Sequence, residues 1–171
     1  MTGPAGPGGP VPGPEPSQPA VPHGRWSYAV QARSSAPVDV VWPLIGQAHR
    51  WKEWSFLDRS DLVMVGTPLP DGVGAVRRFT SHGIGSTEEV VVWEPPHHLA
   101  YAVLSGFPVR HYRADIVLSP DPIGTGTLID WSGTFDEKLR GTGRLLELVL
   151  TRIMGRFARA LVAYADGSGD R

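Results

Sequence analysis

Residues 60–136 break into six short segments, each closed by a turn signal: "DLVMVGTPLPDG", "GAVRRFTSHGIG", "STEEVVVWEPP", "HHLAYAVLSG", "VRHYRADIVLSPDPIG" and "TGTLIDWSGTF". Consecutive segments of this length with short links form an antiparallel meander. After them comes one long stretch of helical period, "GRLLELVLTRIMGRFARALVAYAD". Six strands and a single long helix constrain the chain strongly, because one helix must cover the inner face of a whole sheet. Its stripe is expected to be Leu146, Val149, Leu150, Ile153, Phe157, Ala160, Leu161 and Tyr164, with Arg144, Glu147, Thr151, Arg152, Arg156 and Arg159 opposite. Leu148 and Val162 interrupt the polar side. A helix of about 24 residues spans roughly 36 Å, enough to cross a curved sheet without filling its concave side. The remainder would be a cavity.

The segment before the meander supplies a seventh strand and two short helices. "WSYAVQAR", residues 26–33, sets Trp26, Tyr28, Val30 and Ala32 against Ser27, Ala29, Gln31 and Arg33, the alternation of a half-buried strand. "SSAPVDVVW" opens a helix with Val38, Val41, Trp42 and Ile45 on one side, kept short by Pro43 and Gly46. "HRWKEW" places Trp51 and Trp54 three apart on one face of a second. Three of the chain's six tryptophans fall in residues 42–54. Trp42 and Trp51 are read as anchors fastening the helices under the sheet, and Trp54 as the one near a cavity mouth.

Residues 1–24 are almost entirely Gly, Pro, Ala and a few polar side chains. Frequent proline blocks ladders and helices, and the apolar area cannot offset the entropy of ordering, so a disordered tail is expected. It lacks the basic start and apolar run of a signal peptide. A single domain over residues 25–166 and a short C-terminal tail, 167–171, complete the organisation. Sixteen Lys and Arg against seventeen Asp and Glu, with no long run of either sign, give no basis for a nucleic-acid partner. No membrane insertion is expected either. The absence of cysteine removes thiolate nucleophiles, thiolate metal sites and disulfides, and is compatible with a cytoplasmic location.

The expected fold is therefore α+β: a seven-stranded curved antiparallel sheet, two short helices after the first strand, and a long C-terminal helix over a cavity. Its carriers, "SSAPVDVVW", "RWKEW", "GVGAVRRF", "EEVVVWEPPHHLAY", "YRADIVLSP" and "GTGTLIDW" in that order, resemble the START-like or SRPBCC superfamily with its helix-grip fold, and within it the polyketide cyclase/dehydratase type. The resemblance covers about residues 26–165. It implies a hydrophobic cavity between sheet and helix for a lipid-like, aromatic or polyketide-like ligand, in a superfamily that also holds enzymes, carriers and sensors. Pro43 and Lys52 depart from the usual pattern, Lys52 standing where "RWPEW" is usual.

The turn "HGIG" suggests a register in which Ser81 pairs with Ser86, Phe79 with Glu88, and Arg78 with Glu89. One face then carries Ala75, Arg77, Phe79, Glu88, Val90 and Val92, and the other Val76, Arg78, Thr80, Thr87, Glu89, Val91 and Trp93. The first is read as inward, placing Arg77 and Glu88 inside as diagonal neighbours. A slip of one residue would turn both to the surface. If inward, Arg77 could pair a ligand oxyanion or carboxylate, and Glu88 could act as a general base of raised pKa.

On later strands the inward sets are Leu99, Tyr101 and Val103, though Ala100, Ala102 and Leu104 weaken that alternation; then Tyr112, Ala114, Ile116 and Leu118; then Ile129, Trp131 and Phe135. The candidate ligand-contacting set is Trp54, Phe79, Tyr101, Tyr112, Trp131, Phe135, Leu146, Leu150, Ile153 and Phe157. Aromatics at such positions are commonly core.

Other motifs carry little. His82, His97, His98 and His111 fall in turns or at strand starts without carboxylates at ligand spacing, so no metal is expected. "GIGST", "GTGT" and "RGTGR" lack phosphate-loop or dinucleotide context, and no cofactor is expected. No G-x-S-x-G elbow occurs. The leading expectation is a small-hydrophobic-ligand-binding protein. Alternatives are a cyclase/dehydratase-type enzyme using Arg77, Glu88, Tyr101 and Tyr112, and an interaction module on the outer face of the last helix.

Overall fold

The structure is a computed structural model that describes residues 24–168. The expected N-terminal tail lies outside the described residues except for Gly24, as do residues 169–171. In chain order the elements are β1 (Trp26–Ser34), α1 (Val38–Gly46), a 3-10 turn (Ala48–Arg50), α2 (Trp51–Trp54), β2 (Arg59–Met64), β3 (Val76–Ser81), β4 (Ile84–Glu94), β5 (His98–Ser105), β6 (Val109–Pro120), β7 (Thr127–Glu137) and α3 (Gly143–Ser168). The helix thus runs through Gly167 and Ser168, which were assigned to the tail. All seven strands form one antiparallel sheet in the order β1-β7-β6-β5-β4-β3-β2. The meander is intact, and β1 closes it by pairing with β7 from Trp26↔Phe135 to Ser34↔Thr127.

The β3–β4 register differs from expectation by two residues. His82 and Gly83 form a two-residue turn with φ of 50° and 78°, which suits the twist of a hairpin. Ser81 therefore pairs with Ile84, Phe79 with Ser86, and Arg77 with Glu88. A shift of two leaves every side chain on its expected face, so Arg77 and Glu88 do point inward, as direct partners and not diagonal ones. A second correction concerns the far end of β4. The ladder shifts between Val90 and Val92, leaving Val92 opposite Ala100 and Trp93 opposite Leu99. The bulge reverses the alternation, and Trp93, expected outside, instead lies 5.1 Å from the Trp42 ring of α1.

On α3 the buried stripe is Leu150, Met154, Phe157, Ala158, Leu161 and Ala165. Val149, expected within the stripe, is 39% exposed, while Met154 takes a place in the interior. Hydrophobicity does not fix a helix's rotation where apolar side chains flank both edges of the stripe. Contacts with the sheet do, and α3 packs chiefly along β1. Val162 is half-buried against the core, so of the two interruptions only Leu148 is exposed.

The two short helices are tied down by polar contacts that answer the tryptophan cluster. The last carbonyls of a helix have no partner further along it. At the end of α1, the indole N–H of Trp54 donates to the Leu44 carbonyl at 2.9 Å, and that of Trp51 to the Ile45 carbonyl at 2.8 Å. Arg77 Nη1 also donates to the Ile45 carbonyl, at 3.2 Å, a favourable place for a cation at a helix C-terminus. Buried Asp71 accepts from the Ala48 amide, and Ser60 on β2 donates to the His49 carbonyl. Pro43 lies inside α1, which still ends at Gly46 as expected.

Candidate functional site

Between the sheet's inner face and α3 is a cavity of about 310 Å³. Its walls are aromatic: Trp51 from α2, Phe79 from β3, Tyr101 from β5, Tyr112 from β6, Trp131 from β7 and Phe157 from α3. His82, Ile84 and Gly106, all exposed, stand at its rim. Of the candidates read from the sequence, Glu88, Phe79, Tyr101, Tyr112, Trp131, Ile153 and Phe157 line this space. Arg77 stands behind it. Trp54, Phe135, Leu146 and Leu150 belong to the surrounding core but not to the lining.

Trp51 anchors its helix as expected, but it is also Trp51, and not Trp54, that faces the cavity. Trp51 is both anchor and wall, its ring 4.9 Å from Phe79 and 5.8 Å from Trp131. Trp54 packs behind it, 5.0 Å from Trp51. Position at the end of a one-turn helix does not by itself fix which way a side chain faces; here the Trp54 indole N–H is committed to the Leu44 carbonyl, which turns the ring inward.

Among the described residues, the only acidic side chain lining the cavity is Glu88, 4% exposed, ion-paired through Oε1 to Nη2 of Arg77. Arg77 itself is 0% exposed. Its guanidinium carbon lies 5.3 Å from the Trp51 ring centre and 5.5 Å from those of Phe79 and Tyr101, so three aromatic faces help hold the cation. Its Nε has no hydrogen-bond partner among the described residues. Burial pushes the Glu88 carboxyl above its ordinary value, against the opposing pull of Arg77.

The tyrosines form a second polar group. The Tyr28 and Tyr112 hydroxyls share a hydrogen bond across β7, which is possible because β7 carries Gly133 between them. Gly133 pairs with Tyr28 on one side and Ala114 on the other. A Cβ at this glycine would lie 2.6 Å from the Tyr28 ring. Tyr101 accepts a hydrogen bond from the Trp131 indole at 3.2 Å, which leaves its own O–H to donate. Burial holds Tyr28, Tyr101 and Tyr112 well above the ordinary phenol value.

Several lining residues were not read from the sequence: Trp51, Phe56, Leu57, His82, Ile84, Phe107 and Met154. Most sit in or beside connections, where no periodicity assigns a face. Phe107, parallel to Tyr112 at 6.2 Å, and Phe56, 4.4 Å from Phe157, were marked only by being aromatic beside a turn. Among the described residues no group of three or more His, Asp or Glu is placed to hold a metal ion. No helix there is long and apolar enough to cross a membrane.

Solved structures share this architecture. The protein XoxI from Bacillus cereus aligns with a TM-score of 0.68 at 20% identity, covering 81% of this chain and 94% of its own. A protein from Thermobifida fusca aligns at 0.67 and 23% identity, covering 81% and 92%. A START superfamily protein from Mycobacterium smegmatis aligns at 0.69 and 11% identity, covering 83% and 98%. These likenesses establish the START-like helix-grip fold. No curated protein matches the sequence. The profile of one family, described as polyketide cyclase / dehydrase and lipid transport, matches residues 25–166.

Proposed function

The chain belongs to the polyketide cyclase / dehydrase and lipid transport family, and from that premise we propose that it binds a small, largely apolar ligand in the cavity between the sheet and α3. The observation that carries this reading is the cavity itself: about 310 Å³, walled by eight aromatic side chains and open at the β3–β4 turn. Its size falls at the lower end of ligand pockets, roughly 300–1,000 Å³. Apolar walls with a few placed polar groups supply affinity and orientation respectively.

The test is titration with 1-aminoanthracene, an uncharged fluorophore sensitive to apolar surroundings. Binding of about one equivalent is expected, with displacement by small aromatic compounds. Ile153→Trp, which fills the space from α3, should remove binding while the protein remains folded by circular dichroism. Undiminished dye binding in that variant would place the dye elsewhere and sink the reading.

A second reading is supported by one feature, the buried carboxyl of raised pKa that faces the cavity. In a cyclase/dehydratase-type enzyme Glu88 would take a proton from a carbon beside a ketone, with the Tyr101 hydroxyl donating to the developing enolate oxygen. Glu88→Gln separates the two readings. It leaves 1-aminoanthracene binding in place in both, and abolishes turnover of a β-keto substrate only in the second.

A further inference from the structure

Resting on the ligand-binding reading, we infer that the cavity selects by charge: it takes an uncharged head group that both donates and accepts a hydrogen bond, such as a phenol, and rejects the carboxylate of equal shape. An Arg in an apolar pocket ordinarily suggests the opposite, a site for an acid. Here the order of the layers reverses that expectation. Arg77 is wholly buried, with Nη1 on the Ile45 carbonyl, Nη2 on Glu88, and aromatic rings around its guanidinium carbon. It contributes nothing to the cavity lining, whereas Glu88 does. An incoming anion therefore meets a carboxylate before it can meet the cation.

The groups a ligand does meet are complementary to a neutral head. Glu88 uses Oε1 on Arg77, leaving Oε2 to accept a proton from the ligand. Tyr101 takes the Trp131 N–H on its oxygen and so has its own O–H to give. The other titratable groups in the lining are Tyr112, whose hydroxyl is engaged with Tyr28, and His82 at the exposed rim. Glu88 lies four residues along β4 from Ile84 at that rim, about 13 Å at roughly 3.3 Å per residue. The volume matches about ten waters at ~30 Å³ each, which suits a compact ring system of up to three fused rings and not a long acyl chain.

Three probes of one ring system test this: 2-naphthol, 2-naphthoate and naphthalene, each measured at pH 8 by displacement of 1-aminoanthracene. In the wild type 2-naphthol should bind at least tenfold more tightly than 2-naphthoate. Glu88→Gln should narrow that ratio at least tenfold or invert it, since Arg77 loses its covering anion. Tyr101→Phe keeps the ring and removes the donor. It should weaken 2-naphthol roughly three- to tenfold and leave naphthalene unchanged, which keeps the inference testable should the Glu88 variant not fold. A wild type that binds 2-naphthoate as well as 2-naphthol, or a ratio unmoved in Glu88→Gln, overturns the inference while the ligand-binding reading stands. If neither the dye nor any probe binds, both fall.

Discussion

Arg77 and Glu88 are an expensive pair to bury, since two ions lose their hydration and a single contact between them rarely restores it. Three features offset the cost for Arg77: the Ile45 carbonyl, the carboxylate and the aromatic faces. Its Nε remains unpartnered among the described residues, so the compensation is incomplete. A pair held for its chemistry and not for stability makes a specific prediction. Arg77→Met alone, which strands the carboxylate, should cost about 3–5 kcal/mol, whereas Arg77→Met combined with Glu88→Leu should be neutral or up to ~4 kcal/mol more stable than wild type. The pH dependence has a definite sign. Burial raises the folded pKa of Glu88 above its ordinary 4.5. Its contribution is therefore most favourable below the ordinary value and declines as pH rises through the raised one. The stability advantage of the double variant should grow across that same window. Urea unfolding at several pH values measures all of this, and a double variant several kcal/mol less stable than wild type at neutral pH would contradict it.

At the scale of elements, β7 is the strand on which the site's geometry turns. Gly133 lets the Tyr28 ring cross from β1 towards Tyr112 on β6, and any side chain there collides with it. Gly133→Ala should destabilise by roughly 1–3 kcal/mol through overpacking, a fall in Tm of about 2–12 °C for a domain of this size. Tyr28→Ala should make Gly133→Ala nearly silent, because the two effects share one contact. Thermal unfolding of the four proteins in the cycle tests this, and additive losses would count against it. This contact was half legible in the sequence. Alternation placed both Tyr28 and Tyr112 on inward faces, but strand pairing across β7 is a long-range fact that no local pattern records. The faces of β3, β5, β6 and β7 were readable for the same reason that a register error of two did no harm: burial repeats every two residues. What failed were the places where that period breaks, namely the bulge at Val90–Val92 that turned Trp93 inward, and the rotation of α3 that exposed Val149.

For the whole molecule, the arithmetic of six strands to one long helix already required a sheet larger than its cover, and the cavity occupies the difference. The rim was not readable, because Phe56 and Leu57 from one connection, Phe107 from another and Ile84 at the start of β4 are brought together only by the closed fold. Nor was the order of the charges, since inward-facing Arg77 and Glu88 could equally have presented the cation. The interior and the outer face of α3 are alternative places for a ligand or partner to act, and they carry different methyl groups. Methyl-labelled NMR of the full chain titrated with 2-naphthol distinguishes them directly. The expected shifts fall on Leu57, Val103, Ile153 and Met154, which line the cavity, with Leu145, Leu148 and Val149 on the exposed helix face unmoved. Shifts confined to that outer face, with the cavity methyls silent at saturation, would contradict a binding site between sheet and helix.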